Sequence, residues 1–184
     1  MATDELTEDL ARRAAAGDGA ALDALLARIQ PAVLRQCQRL LPCREDAEEA
    51  AQDALLQVAR TLAGFEGRSR FTTWLHVVVA NCARATYRSL RRRAAERPED
   101  LSLADVTDPR TTSVIAGSRL DLLDALERLE AERPELVTPM VLRDICQLDY
   151  GEIADQLGVP LGTVKSRIHW ARVHVRRSLM VGPD

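Results

Sequence analysis

The 184-residue sequence has few aromatic residues, few cysteines and no long apolar run. Aromatic residues make up 3% of the chain and apolar residues 46%, so a core must be built from Leu, Val, Ile and Ala. The longest apolar run, around residues 77–80, is far too short to span a bilayer. Residues 1–10 are acidic and lack the basic and apolar regions of a secretory signal. These absences favour a cytoplasmic protein with no membrane insertion.

The residues that hold metals or perform catalysis are also sparse. The four cysteines form no C-x-x-C pair, and no histidine follows at zinc-finger spacing: Cys37, Cys43, Cys82 and Cys146. We therefore expect these cysteines to act as small apolar residues, with no metal, disulfide or cofactor. The three histidines fall in predicted helices, with no nucleophile–base group and no phosphate-binding glycine loop nearby: His76, His169 and His174. An enzyme is the poorest fit.

The residues that are abundant, Ala, Leu, Arg and Glu, recur at helical spacing and predict an all-α protein. Helices are predicted in the first half at about 4–16, 20–41, 45–62 and 71–92. Residues 94–118 carry five acids against two arginines and no helical stripe, which predicts a flexible acidic linker. The chain then divides into two small helical domains, residues 1–93 and 119–184. In the second domain, Thr138-Pro139 predicts a helix start.

Residues 150–168 indicate two short helices joined by a tight turn, with Gly158 at the break. The second helix carries apolar residues at core spacing: Val164, Ile168, Ala171 and Val175. Between Gly162 and Ser178 there are five Lys or Arg and no acid. A helix-turn-helix with a basic outer face is suited to a DNA major groove, and a solvated helical hairpin is the alternative.

A second basic segment lies at residues 64–93, with seven arginines against one acid. Its aromatic residues beside cations could stack on unpaired bases or could be core residues, and the pattern leaves both open. Asn81, a polar amide among apolar residues, either makes a local hydrogen bond or projects into a pocket. Residues 119–158 carry ten acids against four arginines. Two basic patches separated by acidic stretches suggest two contacts with one long polyanion.

Three motifs occur in an order typical of one family: residues 46–53, residues 71–75 with Ala80-Asn81, and residues 151–154 through 162–167. In these segments the sequence resembles bacterial RNA polymerase sigma factors of the extracytoplasmic-function (ECF) group. The resemblance implies a region 2 helical bundle over residues 1–93 and a region 4 helix-turn-helix over 119–184. It also implies binding to core RNA polymerase, recognition of the −10 and −35 promoter elements, and opening of the DNA for transcription initiation.

Residue roles follow from the resemblance alone. The helix from Asp46 onward would dock on the clamp helices of the largest polymerase subunit through Asp46, Glu49, Gln52 and Asp53. The −10 contacts would be Phe65, Arg68, Arg70, Trp74, Asn81, Arg84, Arg88, Arg91 and Arg92. The −35 contacts would be Lys165, Ser166, Arg167, His169, Trp170, Arg172 and Arg176. The polymerase flap and an anti-sigma factor are further partners that the family implies.

The sequence also departs from the family pattern. Gln147 stands where glycine is frequent, and Ala85 stands where an acid is common. His169 and Trp170 are unusual enough to suggest an individual −35 preference. Two other function classes remain open from the residues: a stand-alone helix-turn-helix regulator, and a helical adaptor that sequesters a partner without touching DNA.

Overall fold

A computed structural model describes residues 2–96 and 113–180, and every regular element in these two ranges is helical. The N-terminal domain contains α1 (Ala2–Ala15), α2 (Gly19–Leu40), α3 (Arg44–Thr61) and α4 (Phe71–Glu96), with a 3-10 turn at Leu62–Gly64. The C-terminal domain contains α5 (Ser113–Glu132), α6 (Pro134–Met140), a π-helical turn at Val141–Ile145, α7 (Tyr150–Leu157) and α8 (Leu161–Met180). The predicted all-α class is confirmed.

Helix α2 is the central element of the N-terminal domain. It begins after Asp18, whose carboxylate accepts a hydrogen bond from the Ala21 N–H at 2.9 Å. Its buried stripe repeats every four residues and is formed by Leu25, Ile29, Val33 and Cys37. Helix α3 faces this stripe with buried small residues, Ala47, Ala50, Ala51 and Ala54. Since alanine side chains are short, the helices can pack closely without large aromatic residues.

The start of α4 is capped by a residue from another helix. Glu8 of α1 accepts hydrogen bonds from the N–H groups of Phe71 at 3.0 Å and Thr72 at 3.4 Å. A carboxylate at this position satisfies free donors and complements the helix dipole. Helix α1 therefore fixes the point at which the loop of residues 65–70 enters α4.

The helix-turn-helix forms as predicted. Asp149 and Glu152 make a capping box at the start of α7, and Gly158 ends it in the left-handed conformation, with φ of 63°. Helix α8 buries the predicted stripe of Val164, Ile168, Ala171 and Val175. The turn residues and the period of the apolar residues together fix the orientation of α8.

Two sequence predictions differ from the structure. The ends of the predicted linker are helical, because α4 continues to Glu96 and α5 begins at Ser113; residues 97–112 lie outside the described ranges. The predicted helix start at Thr138-Pro139 is wrong. Helix α6 begins at Pro134, and Pro139 lies inside it. Pro134 already supplies the favourable first-turn proline, and the backbone widens into the π-turn just after Pro139.

The two domains pack against each other. One apolar cluster includes Leu25 and Val79 of the N-terminal domain and Leu126 and Leu129 of α5. At the same boundary, the Gln36 side-chain amide donates to Cys146 Sγ at 3.3 Å. Among the described helices, none is long and apolar enough to cross a membrane.

Candidate nucleic-acid interface

The outer face of α8 collects most of the predicted −35 residues. Six of the seven are exposed: Lys165, Ser166, His169, Trp170, Arg172 and Arg176. Arg167 is half-buried. The Trp170 side chain is 58% exposed, and its ring lies edge-on to His169 with centroids 5.5 Å apart. The opposite face supplies the buried stripe, so α8 presents a cationic surface with one large aromatic residue.

Two cations of this surface are held by neighbours in the same domain. Arg172 forms a two-pronged ion pair with Asp144 of the π-turn, with nitrogen–oxygen distances of 2.9 and 2.5 Å. This hydrogen bonding raises the pKa of Arg172 above its usual value. Lys165 Nζ lies 5.9 Å from the centre of the Tyr150 ring, which Arg143 also covers at 4.7 Å. Tyr150 and Asp144 therefore order the cationic face before any ligand arrives.

The loop before α4 forms an open cavity of about 300 Å³. It is lined by Gly64, Phe65, Glu66, Arg68, Ser69, Trp74 and Gln156. Phe65 and Trp74 are half-buried, with ring centroids 5.5 Å apart, whereas Phe71 is fully buried. Phe71 is thus a core residue, and Phe65 and Trp74 are the aromatic residues whose faces a ligand could reach.

Asn81 does not line this cavity. Its exposed side chain lies seven residues beyond Trp74, two helical turns along the same face of α4, and its Oδ1 accepts a hydrogen bond from Arg84 Nη2 at 2.7 Å. Of the two roles that the sequence left open, the structure contains the local hydrogen bond. Arg70 and Arg92, at either end of this helical surface, are exposed.

Three predicted −10 arginines of α4 are paired with acids of α5. Arg88 reaches Glu130 at 2.6 Å, and Arg91 reaches both Asp124 at 2.8 Å and Glu127 at 3.0 Å. The sequence indicated separate basic and acidic stretches. The fold brings the acidic stretch onto the basic one, a relationship that depends on domain packing and has no local sequence signal.

Arg84 is the most buried member of this group, with a side chain only 11% exposed. Its Nη1 lies 3.4 Å from Glu130 Oε1, yet Nε and Nη1 have no hydrogen-bond acceptor among the described residues. Burial lowers the pKa of Arg84, and the charge of Glu130 partly opposes that effect. The neighbouring Tyr87 hydroxyl donates to Asp124 at 2.5 Å, and burial followed by this bond raises its pKa.

The predicted polymerase-contacting residues lie on α3. Glu49, Gln52 and Asp53 are exposed, and Asp46 is half-buried with its pKa raised chiefly by burial. Leu56, which the sequence analysis did not include, continues the same face and is 53% exposed. The sequence already indicates this position, because Leu56 lies three residues beyond Asp53 and four beyond Gln52.

The cysteines are poorly suited to metal or redox chemistry. Burial raises the pKa of the Cys37 and Cys146 thiols to about 12, so neither is a thiolate near neutral pH. In the residues that the structure describes, no group of three His, Cys, Asp or Glu side chains is arranged to hold a metal ion.

Two family models match the chain. The model described as Sigma-70 region 2 matches residues 25–93, and the model described as Sigma-70, region 4 matches residues 119–175. The first covers the loop and α4, and the second covers the helix-turn-helix.

Curated relatives agree with both models. The chain is 30% identical to the RNA polymerase sigma-H factor of Pseudomonas aeruginosa, with 97% of this chain and 96% of the relative covered. It is 29% identical to the ECF RNA polymerase sigma-E factor of Escherichia coli K12, with 92% of this chain and 93% of the relative covered. It is 36% identical to the ECF RNA polymerase sigma factor SigE of Mycolicibacterium smegmatis, with 88% of this chain and 64% of the relative covered.

A solved structure shares the fold over both domains. CnrH, in its complex with the cytosolic domain of CnrY, superposes with a TM-score of 0.56 at 21% identity, covering 97% of this chain and 99% of CnrH. Helical content, motif order, family models and near-full-length relatives thus point to one family. The chain belongs to the sigma-70 family as an ECF sigma factor, a transcription-initiation subunit that works with core RNA polymerase on promoter DNA.

Proposed function

We propose the following division of labour. Residues 1–93 bind core polymerase and the −10 element, residues 119–184 read the −35 element through α8, and residues 94–118 tether the two. The observation that carries the proposal is the outer face of α8, which is cationic along its length, free of acids from residue 162 to 178, and backed by a buried apolar stripe.

In the −35 contact, Lys165, Ser166, His169 and Trp170 reach base edges, while Arg172 and Arg176 contact the phosphate backbone. Arg167, half-buried, supports that face from its edge. Well-placed base contacts contribute about 1–3 kcal/mol of discrimination each. Exchanging the Asp144 carboxylate for a phosphate would keep Arg172 in a two-pronged ion pair.

In the −10 contact, the cavity beside Phe65 and Trp74 receives one base extruded from the duplex. Stacking on these rings offsets the unstacking of that base, about a few kcal/mol, so opening needs no nucleotide hydrolysis. Arg68, Arg70 and the arginines of α4 hold the phosphates on either side. Asn81 positions Arg84 through their hydrogen bond.

The exposed face of α3 is proposed as the dock for the clamp helices of core polymerase. Glu49, Gln52 and Asp53 supply charge and hydrogen-bonding groups, and the exposed Leu56 supplies an apolar contact one turn farther along the same face. The protein acts without catalysis of its own, in the cytoplasm where the polymerase works. An anti-sigma factor is a further partner to test.

The direct test is reconstitution with core polymerase. Purified protein and core enzyme are incubated with fragments of the source genome, and transcript starts are mapped, with core enzyme alone as the control. We expect new transcript starts that are each preceded by the same two sequence elements at a nearly constant spacing. Protection of a palindromic site by the protein alone, with nothing added by polymerase, would identify a stand-alone regulator. Partner binding with no DNA affinity would identify an adaptor.

A further inference from the structure

Three of the arginines assigned above to the DNA backbone, Arg84, Arg88 and Arg91, are occupied in this structure. Asp124, Glu127 and Glu130 repeat every three residues on α5, which places their carboxylates on one face. That face, the acidic stripe, makes ion pairs with Arg84, Arg88 and Arg91. A guanidinium that binds a carboxylate in this way presents the same donors that it would present to a phosphate.

The C-terminal domain, which carries the acidic stripe, also contacts the rim of the loop cavity. Gln156 of α7 is one of its lining residues, and its Oε1 accepts a hydrogen bond from Ser69 Oγ. The C-terminal domain therefore contacts two neighbouring parts of the proposed −10 surface, the phosphate-binding arginines and the base cavity.

Geometry rules out this packing on a promoter. The positions that name the −35 and −10 elements differ by about 25 base pairs, which at about 3.4 Å per base pair is about 85 Å of duplex. A compact chain of this length has a radius of gyration of about 16 Å and is about 40 Å across. Both domains can reach their elements only after they separate, so α5 must leave α4.

We propose that the acidic stripe of α5 mimics a nucleic-acid backbone and occupies the α4 arginines in the free protein, so that DNA and α5 compete for one site. This inference rests on the proposed function, because it takes these arginines as the −10 backbone contacts. Its consequence is that the free sigma factor is closed and binds DNA weakly, while any partner that separates the domains uncovers the arginines.

The closed arrangement is suited to release. Arg88 and Arg91 keep about half of their side-chain surface exposed, so their ion pairs weaken with salt and exchange readily. Arg84 is held with two donors unsatisfied, and opening would return those donors to water or to a phosphate. Arg84, the most buried of the three arginines, therefore regains the most hydration and hydrogen bonding when the domains separate.

The test replaces the stripe with neutral isosteres. The stripe variant is Asp124→Asn, Glu127→Gln and Glu130→Gln; a control variant with the same charge change is Asp23→Asn, Asp121→Asn and Glu132→Gln. Full-length proteins are compared by small-angle scattering and by fluorescence anisotropy with a short labelled single-stranded DNA at one fixed salt concentration. Circular dichroism melting confirms that each protein is folded.

We expect the stripe variant to have a larger radius of gyration and to bind the DNA at least about tenfold more tightly than wild type, since apparent affinity scales with the fraction of open protein. The control variant should stay close to wild type. Adding Arg88→Ala and Arg91→Ala to the stripe variant should abolish the gain. Equal DNA affinity of the stripe variant and wild type would overturn the proposal, as would a gain equal to that of the control or independent of the two arginines.

Failure here is separable from failure of the proposed function. Wild-type protein is assayed in parallel with core polymerase for mapped initiation. Normal initiation with no gain in the stripe variant would leave the sigma-factor assignment intact and reject only the competition. A gain in the stripe variant without any initiation would retain the competition for a polyanion and reject the −10 assignment.

Discussion

His76 Nδ1 lies 2.7 Å from Gln36 Oε1, in the layer where α2, α4 and the C-terminal domain meet. The Gln36 amide also donates to the His76 carbonyl at 3.1 Å, so its oxygen serves as the acceptor for a ring N–H. Burial lowers the pKa of His76 below its usual value. The neutral ring is therefore the form that the folded state prefers.

This preference predicts that stability falls as pH drops. Below the ordinary histidine pKa of about 6.5, the unfolded chain gains a proton that the folded chain resists, so the free energy of unfolding decreases from about pH 7.5 to 5.5. A His76→Gln variant should lose this part of the slope, whereas the exposed His169→Gln control should keep it. Urea unfolding across that range measures both. Equal slopes in the two variants would contradict the assignment.

Removing the α7 capping box should destabilise the C-terminal domain. Asp149 Oδ1 accepts from the Glu152 N–H at 2.8 Å, and Glu152 returns a bond to the Asp149 N–H at 3.0 Å. Asp149→Ala should lower the free energy of unfolding by about 1 kcal/mol. Denaturant unfolding tests this, with Asp155→Ala on the same helix as the control. A loss no greater than that of the control would mean that the cap contributes nothing.

Glycine at position 147 should stabilise the protein. Gln147 has φ of 65°, a left-handed conformation that costs a non-glycine residue about 1–2 kcal/mol. Part of that gain is offset by the greater freedom of glycine in the unfolded chain, about 0.5–1 kcal/mol. Gln147→Gly should therefore raise stability by about 0.5–1 kcal/mol. The same change at Gln57, exposed within α3, should lower it by about 1 kcal/mol. The melting temperatures of the two variants should shift in opposite directions relative to wild type.

Lys165 should affect promoter use and leave assembly unchanged. Its side chain is exposed on α8, in a different domain from α3, so Lys165→Ala should weaken initiation by about 1–3 kcal/mol of recognition while core polymerase still binds. Transcription from a mapped promoter and co-elution with core enzyme separate the two effects. Arg12→Ala, an exposed arginine on α1, is the control. Parallel loss of polymerase binding would contradict the division of roles between the domains.

Leu56 should affect assembly. Leu56→Gln should weaken binding to core polymerase by about 1 kcal/mol or more while the fold stays intact, since the side chain is half-exposed already. Leu6→Gln on α1, at 49% exposure, is the matched control. Binding of labelled protein to core enzyme gives the comparison. Equal affinity for the two variants would remove Leu56 from the docking face.

Features governed by local spacing were predictable from the sequence. The buried stripe of α8 follows from a helical period, and the left-handed Gly158 follows from glycine's lack of a Cβ. Pro139 was misjudged because proline favours a helix start, yet Pro134 occupies that role. The helical period of the apolar residues identifies which residues share a face. A proline identifies only a position that lacks a backbone N–H donor.

Features governed by tertiary packing were not predictable. Nothing in the local sequence connects Arg88 with Glu130, which lie 42 positions apart, or Ser69 with Gln156. Such pairs depend on how two separately patterned domains meet. The hydrogen bond of Asn81 was not predictable for the same reason, because it depends on where the Arg84 side chain is held.

The carboxylate of Glu8 at the head of α4 has a practical consequence for anyone trimming this protein. The region 2 family model begins at residue 25, so a minimal fragment cut to that boundary would discard Glu8 together with all of α1. The first amides of α4 would then lose their anchor, and the aromatic loop would be set at a different angle. A truncated fragment that fails to open DNA would thus report the missing anchor and say little about the loop itself.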